Sequence, residues 1–155
     1  MPAKSDDAKV SAAFIAQECL AVRLRLLTRA VTKLYNKALR PHGLTVGQMN
    51  ILVAVSHLGP VNQQRVCQAL HLDKSTLSRD LARMRAQGWI STAPGVPGRA
   101  ALLRITPAGS ALLEQAFPAW QRAQEEARSL LGGVAAAALE PAVKTIRARR
   151  MAPKS

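Results

Sequence analysis

Two short helical patterns set back to back, followed at once by a hairpin, constrain this chain more than any other feature of its sequence. Residues 61–88 read VNQQRVCQALHLDKSTLSRDLARMRAQG. Asn62 is placed to cap a short helix with Val66, Ala69 and Leu70 turned inward, because its side-chain oxygen can accept from the amides that an N-terminus leaves unpaired. Asp73 caps the next helix. On a helical wheel Leu77, Leu81 and Met84 share one side, with Gly88 marking the end. The opposite side shows Ser75, Arg79 and Ala82, flanked by Thr76, Ser78 and Arg83, with Asp80 near its edge. In WISTAPGVPGRAALLRIT, two short apolar runs flank a Pro/Gly cluster, which predicts a hairpin with a flexible tip. Helix, tight turn, helix, hairpin is the plan of a winged helix-turn-helix.

The remainder is helical. From about Ser11 to Leu39, Leu20, Leu24, Leu27, Val31, Leu34 and Ala38 recur at steps of three and four, with Arg25, Arg29, Lys33 and Lys37 on another face, predicting one long helix. The segment RPHG at 40–43 stops it. Thr45 then caps a mostly buried helix, apolar at Met49, Leu52, Val53 and Leu58. Thr106 and Pro107 form an N-cap and N1 pair that opens a helix carrying Leu112, Leu113, Ala116, Trp120 and Leu130 and ending at Gly132 and Gly133. Pro118, inside that pattern, should bend it. A last helix from Val134 to about Arg150 precedes a basic tail. The fold class expected is mostly α with a small β-hairpin wing: a winged helix-turn-helix lobe over 44–106, with a helical dimerisation region over 11–43 and 107–150, all within one domain of 155 residues.

The chain carries a formal net charge of +13, a field that attracts polyanions. The charge is segmental. Residues 19–40 hold six Lys/Arg and no acid, 61–106 hold seven against two, and 107–143 hold two against four. No apolar run reaches the roughly 20 residues that span a bilayer, and the first residues lack the order of a signal peptide, so a cytoplasmic protein without a membrane partner is expected. Cys19 and Cys67 are far apart with no CxxC spacing, which indicates neither a disulfide framework nor a zinc ribbon. Cys67 and His71 stand four apart but lack a third ligand, so no metal and no cofactor is expected. A nucleophile-and-base arrangement and a phosphate loop are both missing, which argues against an enzyme.

The positive helix face has a chemistry that suits DNA. Small hydroxyls allow close approach in a major groove, arginine can fork onto guanine, and a helix N-terminus favours phosphate. The pattern LTVGQMNILVAVSHLGPVNQQRVCQALHLDKSTLSRDLARMRAQGWI, continued by GRAALLRITPAGSALLEQAFPAW, resembles the MarR family of bacterial transcriptional regulators, most diagnostically in LDKSTLSRDLARMRAQGW and LLRITPAG. The resemblance implies a homodimer whose first, fifth and sixth helices interlock and whose winged lobes meet successive grooves of a palindromic operator in double-stranded DNA. It also implies repression relieved by a small-molecule effector or by thiol oxidation.

Carried over by position, Lys74, Ser75, Thr76, Ser78 and Arg79 would read or flank bases, with Arg83 beside them. Gln63, Gln64 and Arg65 would hold phosphates, and Arg99 would enter the minor groove from the wing. One departure stands out: where the family's wing often sets an Asp before its arginine, this chain has Pro97, Gly98 and Arg99. Cys19 lies about two residues off the register of the family's reactive thiol and has no tyrosine beside it, so a packed cysteine is expected. The rival reading is a nonspecific, nucleoid-associated architectural protein, which would be equally basic but would bind random and operator DNA alike.

Overall fold

The computed structural model describes residues 3–93 and 100–151, with side chains over 9–93 and 100–148. The elements run α1 (Ala3–Glu18), α2 (Leu20–Leu39), a 3-10 turn (Arg40–His42), α3 (Val46–Leu58), α4 (Gln63–Leu70), α5 (Lys74–Ala86), β1 (Ile90–Ala93), β2 (Leu102–Ile105), α6 (Pro107–Leu131) and α7 (Gly133–Met151). Tyr35–Glu126 forms one compact unit; the segments up to Leu34 and from Ala127 onward form a second.

The four helix starts in the first unit follow their caps. Thr45 closes a capping box with Gln48, each side chain accepting from the other's backbone amide. Asn36 adds to it from α2, its Oδ1 accepting from the Val46 amide at 2.8 Å. Asn62 accepts from the Arg65 amide and Asp73 from the Thr76 amide. Thr106 Oγ1 accepts from the Gly109 amide at 3.1 Å and donates to the Gly88 carbonyl at 2.6 Å, so the start of α6 is fastened to the end of α5. Between α4 and α5 the chain turns through His71, whose φ of 54° makes it the one non-glycine residue with positive φ among the described residues.

The core of this unit gathers Leu39, Ile51, Leu52, Val55, Val66, Leu77, Leu81, Met84 and Leu103. Burying side chains of this size contributes about 1.5–3 kcal/mol each. On α3 the inward face is Gln48, Met49, Ile51, Leu52, Ala54 and Val55, whereas Val53 and Leu58 are exposed, contrary to expectation. The reason is geometric: at 100° per residue, Val53 falls almost opposite Ile51. On α6 the buried stripe is Ala116, Ala119, Ala123 and Ala127, while the expected Leu130 is exposed. The helix runs on through Pro118.

The hairpin pairs antiparallel with Ile90 opposite Ile105 and Thr92 opposite Leu103. Val61 joins it as a third, one-residue rung, exchanging backbone bonds of 3.1 and 2.8 Å with Leu103.

In the second unit, the single helix expected over 11–39 is interrupted at Cys19 and begins earlier, at Ala3. The ladder is only loosened there, since the Cys19 amide still reaches the Ile15 carbonyl and the Arg23 amide the Cys19 carbonyl. Arg23 straps the break: its guanidinium donates to the Gln17 carbonyl and pairs with Glu18 at 3.2 Å. Val10, Phe14, Ile15, Leu20, Leu24, Val134, Leu139 and Ile146 are all exposed in the lone chain.

Candidate nucleic-acid interface

α5 owes its position to its buried side. Leu77, Leu81 and Met84 are fully buried, which turns the intervening residues outward. Lys74, Ser75, Ser78, Arg79 and Arg83 are exposed and Thr76 is half-buried. Ser75, Arg79 and Arg83 stand on successive turns, a stripe about 12 Å long at 1.5 Å per residue. α4 packs between α3 and α5, with Val66 inward. Its first turn leaves Gln64 and Arg65 exposed and Gln63 half-buried. The residues expected on both helices are therefore side-chain groups available at the surface of one unit, carried by two rigid elements. Arg99 lies outside the described residues.

The tip of α5 holds an arrangement that reading residues singly does not show. The Asp73 carboxylate takes three bonds: Ser75 Oγ donates to Oδ1 at 2.6 Å, the Thr76 amide to Oδ1 at 2.8 Å, and Thr76 Oγ1 to Oδ2 at 2.8 Å. These donors, the Ser75 hydroxyl foremost, hold the Asp73 carboxyl well below the usual carboxylate range. The sequence signal was present as an Asp followed by Ser and Thr at the second and third positions, the spacing of an N-cap whose hydroxyl neighbours can fold back on it. Arg104 was also passed over. It is exposed on β2 opposite Ser91, a cation on the hairpin within the described residues.

Among the described residues no group of three or more His, Cys, Asp and Glu could hold a metal ion. Cys67 is half-buried and packs against the core. No single described helix is long and apolar enough to cross a membrane.

Residues 42–100 match the sequence model of the MarR family. A curated relative, the uncharacterized HTH-type transcriptional regulator YwoH of Bacillus subtilis, is 28% identical over 78 residues, which is 50% of this chain and 57% of that protein's length. The fold resembles that of a cysteine-to-serine mutant of MarR from E. coli solved with operator DNA, with a TM-score of 0.75 at 24% identity over 86% of this chain and 96% of that one. It also resembles the M. tuberculosis transcriptional regulator MOSR in complex with DNA, with a TM-score of 0.73 at 25% identity over 89% of this chain and 100% of that one.

Proposed function

We propose that this chain is a member of the MarR family and a sequence-specific, double-stranded-DNA-binding transcriptional regulator, acting as a homodimeric repressor on a palindromic operator. The observation that carries the proposal is α5: a capped helix buried along Leu77, Leu81 and Met84 that presents Lys74, Ser78, Arg79 and Arg83 to solvent beside a hairpin. In this reading α5 enters the major groove, and Arg79 forks onto guanine. Gln63, Gln64 and Arg65 hold phosphate at the start of α4, and Arg99 reaches the minor groove. The lobe is 44–106. The helical segments 11–43 and 107–150 pair with a second copy, which would cover the exposed Val10, Phe14, Leu20, Leu24, Leu139 and Ile146. Release by a small-molecule effector or by oxidation completes the cycle.

Footprinting on the protein's own promoter region, with random duplex as the competitor, tests the proposal. A regulator discriminates by about 10³ or more. Arg79→Ala is expected to weaken operator binding by about 1–3 kcal/mol and to relax preference at one base per half-site, whereas Gln64→Ala weakens all duplexes evenly. Equal binding of operator and random DNA would establish the architectural alternative instead.

A further inference from the structure

We propose that Asp73 sets base preference at one remove: by taking the protons of both Ser75 and Thr76, it makes the tip of α5 an acceptor-only surface suited to the amino groups of adenine or cytosine. The inference rests on the assignment of α5 as the DNA-reading helix and names what its first turn reads.

A hydroxyl has one proton and two lone pairs, and an ionised carboxylate accepts only. With Ser75 Oγ donating to Asp73 Oδ1 at 2.6 Å and Thr76 Oγ1 to Oδ2 at 2.8 Å, both protons are committed inward. What remains toward solvent is lone pairs. Bonds to an ionised acceptor are shorter and about twice as strong as neutral ones, so turning a hydroxyl outward to donate would forfeit more than it gains. In the major groove the available donors are adenine N6 and cytosine N4; guanine O6 and N7 and thymine O4 offer only acceptors. Free serines and threonines read either kind of edge, but these two have lost that choice. Phosphate oxygens are acceptors as well, so the same commitment directs Ser75 and Thr76 away from the backbone and leaves phosphate contact to Lys74 and the start of α4. Arg79, one turn beyond Ser75, carries donors only. The helix therefore presents acceptors at its tip and donors one turn on, a polarity that a half-site must mirror. Asp73 touches no base in this scheme; it is a positioning residue.

Selection from randomised duplexes with the full-length protein, at one salt concentration, tests this with wild type, Asp73→Asn, Ser75→Ala and Thr76→Val. Asparagine caps helices as well as aspartate does: its Oδ1 keeps the Thr76 amide and the Ser75 hydroxyl, while Nδ2 stands where Oδ2 was and donates to Thr76 Oγ1, which frees the Thr76 proton to face DNA. Asp73→Asn should hold random duplex within about threefold of wild type, while the preference for adenine or cytosine at the position Thr76 faces falls by about three- to tenfold and moves toward guanine or thymine. Ser75→Ala and Thr76→Val should each lose the preference at its own position without reversing it. As a check that needs no Asp73 variant, replacing the selected adenine by purine, which lacks N6, should weaken wild type by about three- to tenfold and leave the matching alanine or valine variant unchanged. Wild type and Asp73→Asn selecting the same bases with the same strength, or purine binding as well as adenine, would overturn the role of Asp73 alone. Wild type selecting no sequence would instead overturn the DNA-reading assignment beneath it.

Discussion

Gly109 lies in the first turn of α6, buried, where the close of the hairpin meets the helix. A Cβ built there would fall 2.2 Å from the Trp89 carbonyl oxygen and 2.9 Å from Ile105 Cγ1. The first distance is 0.8 Å short of the 3.0 Å below which real contacts of this kind essentially cease, and the obstructing atom is backbone, which cannot rotate away. That oxygen also accepts from the Thr106 amide and lies 3.1 Å from the Thr106 hydroxyl, so moving it loosens the cap of α6. Overpacking of this kind costs about 1–3 kcal/mol, and each weakened hydrogen bond adds up to about 1 kcal/mol. Against this stands the gain of at most about 1 kcal/mol from replacing a helical glycine by alanine. Gly109→Ala should therefore destabilise the protein by about 2–3 kcal/mol, lowering Tm by about 5–10 °C. Gly47 supplies the control. It also lies in a first helical turn, but its added Cβ would meet nothing nearer than Thr45 Oγ1 at 3.8 Å, so Gly47→Ala should be neutral or stabilising by up to about 1 kcal/mol. Urea unfolding of both variants at one protein concentration makes the measurement. Gly109→Ala as stable as wild type would refute the steric account of this glycine.

Three further outcomes are expected. Tyr35→Phe removes the hydroxyl that donates to Gln124 Oε1 and should cost about 0.5–1.5 kcal/mol in the same assay. The carboxyl of Asp73 has its folded pKa depressed, so its contribution to stability is fully present above its unfolded pKa of about 3.9 and is lost as pH falls through the folded value; acid titration of Asp73→Asn should lack that part of the wild-type slope. Light scattering at micromolar concentration should report twice 16.6 kDa, and a folded monomer that binds a palindrome tightly would refute the dimer.

The parts of the fold legible in the sequence were those decided within one turn of helix. Thr45, Asn62, Asp73 and Thr106 each cap because a short polar side chain reaches an amide two or three residues on, and that geometry is written in spacing alone. Leu77, Leu81 and Met84 were legible for the same reason. Contacts between distant segments were not. Nothing near Val61 announces Leu103 as its partner, and Tyr35 and Gln124 meet although they stand 89 positions apart. The outward face of Val53 was legible from Asn50, Ser56 and His57, exposed polar residues three and four positions away on the same side of α3, and the count of apolar residues along that helix outweighed them. At the candidate interface the exposed cations were legible, but the inward turn of the Ser75 and Thr76 hydroxyls was not, because it depends on rotamers that spacing permits without requiring.

The single rung between Val61 and Leu103 also has a kinetic consequence. Its two backbone bonds join the residue just ahead of α4 to the middle of β2, across the rim of the lobe. Each amide is protected only while the other segment stays in place, so peeling β2 away must release both protons to solvent in one event. Amide hydrogen exchange should therefore find Val61 and Leu103 opening at a common rate, and α4's first turn, which begins two residues after Val61, should feel every departure of the hairpin.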